Sequence, residues 1–193
     1  MPHEEFHVHG AHDHQLEHAA EHGSADRFSG RIAVTTAVLA TLGALMSFAG
    51  GDTQAKAQIF KNNAAIKKTE ANDQWNYYQS KGNKQNLAEV AATLTTQADK
   101  VQFYQGEIER YKKDKADIKQ VADKLEAESK QWDEDSEVQM HVHHRWALAA
   151  TAMQIAIALS AIALLTRRDW LLVGVYAVAA AGLVFGGMAI AGL

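Results

Sequence analysis

The hydrophobic positions of this chain fall into three long stretches that flank one polar segment. Residues 32–51, 146–166 and 170–193 contain no charged side chain, whereas residues 52–145 are strongly polar. A helix needs about 20 apolar residues to cross a hydrocarbon core of about 30 Å. Each stretch therefore predicts a transmembrane helix. The alternative, three buried helices of a soluble protein, is disfavoured because nothing else in the chain could cover them.

The short basic loops predict how these spans are oriented. The loop at 167–169 contains two arginines, and Arg27 and Arg31 precede the first span, so both regions are expected in the cytoplasm. A cleaved signal peptide is disfavoured because the leader is too long and too acidic. The predicted order is a His-rich cytoplasmic leader at 1–27, spans at 28–51, 146–166 and 170–193, a cytoplasmic loop at 167–169, and an extracytoplasmic segment at 52–145.

The polar segment carries the seven-residue repeat of a coiled coil. The repeat is formed by Val101, Tyr104, Ile108, Tyr111, Lys115, Ile118, Ala122, Leu125, Ser129 and Trp132. Such a helix needs a partner helix, and residues 52–95 are the candidate. Because both arms start at the membrane surface, they should match in length, which places the tip at 94–99. Thr96 to Asp99 forms an N-cap pattern there, and Gly82 is a tolerated flaw or slight kink.

The positions of the first arm that are predicted to contact the second arm, its seam, are more polar than those of the second arm. Its predicted seam positions are Ile59, Asn62, Ile66, Thr69, Asp73 and Asn76. A polar seam sets the register of two helices, holds water or contacts neighbouring subunits, and we favour the role in register. The predicted fold class is therefore all-α: three transmembrane helices with a long extracytoplasmic antiparallel coiled-coil hairpin between spans one and two.

Composition narrows the chemistry further. The chain has no cysteine, which excludes disulfides, cysteine-based zinc sites and thiol catalysis. A net charge of -4 gives no basic surface for nucleic acid. No nucleophile–base pair, phosphate loop or paired catalytic carboxylates stand out, so no enzyme activity is expected.

The histidine-rich leader is the first candidate metal site. His14, His18 and His22 are four residues apart and share one helix face, with two glutamates between them. Neutral imidazoles on one stripe bind Zn, Ni or Cu. A zinc protease is disfavoured because so short a leader cannot build a cleft and second shell. The alternative is a solvated amphipathic leader with incidental histidines or with histidines that gain charge in acid.

A second candidate metal site lies just before the second span. Glu137, His141 and His144 share one helix face. The alternative is a juxtamembrane helix that uses these histidines at the headgroup level. On the predicted topology the two histidine clusters lie on opposite sides of the membrane, so they cannot form one site.

Three segments of the chain resemble a known bacterial family. They are "DRFSGRIAVTTAVLATLGAL", "NDQWNYYQSKGNKQNL" and "QIAIALSAIALLTRRDWLL", and the most specific part runs from Asp73 to Lys81. The chain resembles membrane proteins grouped as domain of unknown function 4337, over nearly its whole length. The resemblance implies the architecture and a location in the bacterial inner membrane. It implies no activity, substrate or catalytic residue.

These features favour a homo-oligomeric scaffold that projects a periplasmic hairpin toward a protein partner. The expected interaction residues are Trp75, Tyr77, Tyr78 and Lys81 on the hairpin, and Gln154, the only strongly polar side chain within a span. The alternative is an oligomeric channel or transport accessory with metal- or pH-responsive histidines. A third hypothesis is metal handling or sensing across the membrane.

Overall fold

The computed structural model describes residues 27–192, which form three α-helices. Helix α1 is Arg27–Leu94 (68 residues), α2 is Ala98–Thr166 (69 residues) and α3 is Asp169–Ile190 (22 residues). Within this range no residue adopts a β-strand. The prediction of an all-α fold is therefore confirmed.

The predicted spans and hairpin arms are not separate helices. The sequence predicts a boundary between the first span and the first arm after residue 51, and another between the second arm and the second span after residue 145. Helices α1 and α2 run through both positions without interruption. A change from apolar to polar side chains alters what a helix surface contacts, but it does not interrupt the backbone hydrogen bonds. Because the only proline of the chain is Pro2, no residue of the helices lacks the N–H that these bonds need.

Residues 95–97 connect α1 to α2. The Thr95 N–H donates to the Ala91 carbonyl at 3.2 Å, which satisfies one carbonyl of the last turn of α1. The Val101 N–H donates to the Gln97 carbonyl at 3.0 Å, which closes the first turn of α2. So short a connection makes α1 and α2 antiparallel neighbours.

The connection between α2 and α3 is shorter still. Arg167 has a φ of 50°, in the left-handed region, and its N–H donates to the Ala163 carbonyl at 2.9 Å. This left-handed residue ends α2, as glycine more often does at helix C-termini. Arg168 is the N-cap residue of α3, in extended conformation.

The described residues pack as two units. The three-helix unit contains residues 27–53 of α1, residues 141–166 of α2 and α3, whereas the two-helix unit contains residues 54–140. The core of the three-helix unit consists of Leu39, Met46, Ala149, Ala150, Met153, Ala156, Val175 and Ala179. A smaller cluster joins Ile32, Ala163 and Leu172. Half of the main cluster is alanine, so the helices of this unit pack closely.

Two glycines of α3 lie against the neighbouring helices, Gly182 against α2 and Gly186 against α1 and α2. A Cβ atom added at Gly182 would lie 3.0 Å from Met153 Cε, 3.1 Å from Ala152 Cβ and 3.2 Å from the Ala149 carbonyl oxygen. At Gly186 the nearest atom would be Met46 Cε, at 3.1 Å. The small residues of α3 are therefore used within the chain, to bring helix backbones together.

The surface of the three-helix unit is strongly apolar. Large side chains that remain at least half exposed include Val34, Val38, Leu45, Phe48, Leu148, Leu165, Trp170, Val173, Leu183, Val184 and Ile190. Soluble proteins rarely leave so much contiguous apolar surface in water. Such a surface needs lipid or other protein to cover it.

Alanine and serine form one part of the interface in the two-helix unit. Ala57, Ala64 and Ala71 follow one another at seven-residue intervals in α1 and are buried. Ser136 Oγ donates to the Ala57 carbonyl at 2.8 Å, and Ser129 Oγ donates to the Ala64 carbonyl at 2.9 Å. A serine hydroxyl reaches a main-chain oxygen of a neighbouring helix only when the two backbones approach closely.

The prediction that the seam positions of the first arm contact the second arm is wrong. Ile59 and Ile66 are 57% and 53% exposed, and their four polar companions are exposed as well. Sequence analysis assigned the largest apolar side chains to the interface between the arms. The close approach of the helices instead selects the smallest side chains, and it leaves the isoleucines outside. By contrast, all ten positions of the predicted repeat in α2 are buried or half-buried.

Ion pairs join the two helices along their length. Basic residues of α1 pair with acidic residues of α2 in Lys61–Asp133, Lys67–Glu128, Lys68–Glu126 and Lys81–Asp114. Most of these side chains are more than one-third exposed, so each pair contributes little to stability. Together they match only one antiparallel register of the helices.

Candidate interaction site

The aromatic residues of the motif at 73–81 lie in the two-helix unit. Trp75 and Tyr78 are half-buried, with ring centroids 5.6 Å apart in an edge-to-face arrangement at 73°. The indole of Trp75 also interacts with the Glu126 carboxylate. The pKa of Glu126 is lowered first by its hydrogen bond from Lys68 and then, to a smaller extent, by Trp75. Trp75 and Tyr78 are therefore occupied by contacts within the helix pair.

Lys81 is the charged centre of the motif. Its ammonium nitrogen donates to Asp114 Oδ2 at 2.7 Å, and the side chain is only 16% exposed. The same nitrogen lies 5.2 Å from the ring centroid of Tyr77 and 5.7 Å from that of Tyr111. Cation–π contacts of this kind favour a lysine that has lost most of its water. Lys81 thus links α1 to α2 through one carboxylate and two aromatic rings.

This contact shifts the pKa of both partners. The hydrogen bond from Lys81 lowers the pKa of Asp114, and the hydrogen bonds to Asp114 and then to Tyr77 raise the pKa of Lys81. The stabilisation from Asp114 is present above its unfolded pKa of about 4 and is lost as the pH falls through the lowered value. The stabilisation from Lys81 is present below about pH 10 and is lost as the pH rises through the raised value.

A second lysine, Lys115, directly follows Asp114 in α2. Lys115 Nζ is 4.9 Å from the ring centroid of Tyr78 and donates to Gln85 Oε1 at 3.3 Å. Sequence analysis identified Lys81 as a site residue but missed its partners on α2, among them Asp114 and Tyr111. The signal was available, because folding the chain about the tip places residues 111–115 opposite this part of α1.

Tyr77 is the exposed member of the three aromatic residues in the motif. It is 50% exposed, although its ring lies beside the Lys81 ammonium. The motif therefore has two parts: an inner part that holds the helices together, and the outer edge of Tyr77, which is open to contact. Binding of a partner at Trp75, Tyr77, Tyr78 and Lys81 stays a prediction.

The candidate metal ligands are not assembled into a cluster. His14, His18 and His22 lie outside the described residues. Glu137, His141 and His144 lie in one continuous helix, α2. Between residues 27 and 192, no group of three or more histidine or acidic side chains is arranged to hold a metal ion. Metal binding by either trio stays a prediction.

The histidine with a clear structural role is one that sequence analysis left out of the trio. His143 Nδ1 lies 2.8 Å from the Gly50 carbonyl oxygen, to which it donates when that nitrogen carries the proton. Gly50 is close to α2 here, since a Cβ atom at this position would meet Trp146 Cβ at 3.2 Å. His143 therefore fastens α1 to α2 within the three-helix unit.

Gln154 lies on the outside of the three-helix unit. Its side chain is exposed, as are those of Ala147, Thr151 and Ala158 along the same stripe of α2. These spacings of four, three and four residues place the amide in the middle of a row of small side chains. An amide carries both donor and acceptor groups, and small neighbours leave room for another helix to approach it.

The sequence was compared with known families, proteins and structures. The model of the family described as Domain of unknown function (DUF4337) matches residues 28–192. No curated protein and no solved structure matches the chain.

Proposed function

This chain belongs to the family described as Domain of unknown function (DUF4337), and from that premise we propose that it is a homo-oligomeric interaction scaffold of the bacterial inner membrane. The observation that carries the proposal is that large apolar side chains remain exposed on both units after the chain has folded. A protein with such surfaces acts by binding, first to lipid and then to other chains.

Three helices support the membrane part of the proposal. Each of them is long and apolar enough to cross a membrane, judged by length and composition. In this proposal the three-helix unit lies in the bilayer, and the leader and the 167–169 loop lie in the cytoplasm. The charges support this orientation, because Arg27, Arg31, Arg167 and Arg168 are the basic residues nearest the cytoplasmic ends of the spans. Residues 52–145 and the C-terminus then lie in the periplasm.

Two surfaces support the interaction part. Within the membrane, the exposed amide of Gln154 and its small neighbours suit a helix of another copy. In the periplasm, Tyr77 and Phe103 are 50% and 62% exposed on the two-helix unit. Exposed aromatic side chains are typical anchors of protein–protein interfaces. The proposal therefore includes self-association in the membrane and a protein partner for the hairpin.

Native mass spectrometry of the purified chain tests the proposal. We expect a defined oligomer, which Gln154→Leu weakens and Thr166→Val, a polar residue at the end of the same helix, leaves intact. A monomer at all concentrations in lipid nanodiscs would contradict the scaffold. Ion conductance in liposomes that Gln154→Leu abolishes would instead favour the channel hypothesis.

Thiol labelling tests the orientation independently. The chain contains no cysteine, so single cysteines at Ser24 and Gln97 report one position each. In intact spheroplasts an impermeant maleimide should label the cysteine at position 97 and spare the one at position 24. The reverse pattern would invert the topology, and labelling of both would exclude a membrane barrier between them.

A further inference from the structure

Helix α1 carries a second heptad face that stays exposed to solvent within residues 27–192. Its members follow one another at alternating intervals of three and four residues: Ile59, Asn62, Ile66, Thr69, Asp73, Asn76, Ser80, Asn83, Leu87, Val90 and Leu94. Every one of these residues is exposed, and Leu87 and Leu94 are as much as 70% and 79% exposed. We call this set the outer face of α1.

The outer face is distinct from the contact with α2. The contact with α2 uses Ala57, Ala64 and Ala71, which are at most 6% exposed. The isoleucines of the outer face lie two residues after the first two of these alanines, which rotates them away from α2 on the same helix. One helix thus presents two separate repeats: small residues toward its own partner and larger ones toward the outside.

The spacing identifies the kind of partner that fits this face. Alternating intervals of three and four residues form one continuous stripe that winds slowly around a helix, and such a stripe is buried best by another helix that coils along it. A globular partner or a lipid surface imposes no such regular interval. The length of the stripe, from residue 59 to residue 94, also requires an elongated partner.

The polar residues of the outer face indicate that the partner helix is an identical one. Asn62, Asn76 and Asn83 each carry a donor and an acceptor, so each can form a hydrogen bond with the same residue of an identical helix. Only Asp73 carries a charge, so the face offers no charge pattern that would select a different, oppositely charged partner. Asparagines at such positions fix the register of identical helices.

We infer that the outer face of α1 is the interface with a second copy of this chain. The copies lie parallel, because chains inserted in one membrane share one orientation; the inference in this respect rests on the proposed function. In this arrangement Asn62 faces Asn62 and Asn76 faces Asn76 of the second copy. The face mediates self-association outside the membrane, in addition to any contact at Gln154.

Disulfide cross-linking of the full-length protein in membranes tests the inference. Single cysteines replace Asn62 or Asn76 on the face, and Gln120, which is exposed on α2, serves as the matched control. A disulfide requires Cα atoms about 4.4–6.8 Å apart, which the same position of two parallel neighbouring helices meets. We expect several-fold more cross-linked dimer for N62C and N76C than for Q120C after mild oxidation.

A second variant strengthens the same test. Asp73 places like charges opposite each other between the copies, so D73L should increase the fraction of oligomer at a given protein concentration. Glu89, exposed on another side of α1, provides the control variant E89L, which should leave this fraction unchanged. Circular dichroism confirms that both variants remain helical.

The outcomes separate this inference from the proposed function. Equal cross-linking at all three positions, together with an oligomer by native mass spectrometry, would overturn the outer-face interface and leave the scaffold standing. A monomer by mass spectrometry without any cross-link would overturn both. Preferential cross-linking at positions 62 and 76 with a greater oligomer fraction for D73L would establish the interface.

Discussion

Replacing Gly182 by alanine tests the close contact between α2 and α3 most directly. The new Cβ would lie 3.1 Å from Ala152 Cβ and 3.2 Å from the Ala149 carbonyl oxygen. Carbon atoms normally pack at about 3.5–4.0 Å. Because both neighbouring atoms belong to or adjoin the backbone, they cannot rotate away, and the helices must separate. Overpacking of this kind costs about 1–3 kcal/mol.

Gly187→Ala provides the matched control in the same helix. A Cβ atom at Gly187 has no neighbour within 4 Å. Both substitutions remove a helical glycine, which by itself favours the helix by up to about 1 kcal/mol. The difference between the two variants therefore isolates the steric cost at Gly182. It corresponds to a loss of about 5- to 150-fold in the equilibrium constant for folding, since about 1.4 kcal/mol is tenfold.

The assay is reversible unfolding in mixed micelles, followed by helical circular dichroism as the fraction of denaturing detergent increases. We expect the midpoint of Gly182→Ala to fall below that of Gly187→Ala. Equal midpoints would refute the argument that α2 and α3 are in close contact at this position. A lower midpoint for Gly187→Ala would imply a neighbour at that residue in an oligomer.

Three further predictions concern the two-helix unit. Ser136→Ala removes the buried hydroxyl that donates to α1 and should lower the free energy of unfolding by about 0.5–1.5 kcal/mol. Gln120→Ala, at an exposed position of α2, should change it little; urea titration measures both. Lys81→Met should raise the pKa of Asp114 toward its usual value, which carboxyl NMR detects. The stabilisation from Asp114 is fully present above about pH 4 and is lost as the pH falls through its lowered pKa. Asp114→Asn should therefore reduce the loss of stability that acid causes below about pH 4.

The fold class and the family were accessible from the sequence because their signals are local. Apolar stretches, the absence of proline after Pro2 and the repeat of α2 each depend on neighbouring residues. The repeat of α2 also identified a helix face with no exposed member. Helix boundaries were not accessible in the same way, because side-chain polarity changes at residues 51 and 145 while the backbone continues as helix.

The interface of α1 could not be derived from hydrophobicity alone. Helix α1 carries two repeats, and the side chain of Ile59 is larger and more apolar than that of Ala57. Only the distance between the backbones decides which repeat faces the partner, and that distance depends on both helices together. The same limit applies to the site: Lys81 stood out in the sequence, but its pairing with Asp114 requires the register of the helices.

The regular spacing of small residues in the two-helix unit has a consequence for folding. Ala57, Ala64 and Ala71 recur every seven residues, and so do Ala122, Ser129 and Ser136 opposite them. If one helix slides along the other by seven residues, small side chains again meet small side chains, and a serine again reaches a carbonyl. The small-residue repeat by itself therefore does not distinguish the native alignment from one shifted by seven residues. The native alignment must be selected by features that do not repeat, such as the packing of Phe60 on Trp132, at 5.3 Å between ring centroids, and the ion pair of Lys81. Misaligned hairpins are then the expected kinetic traps, and removing Trp132 should populate them even where it leaves the helix content unchanged.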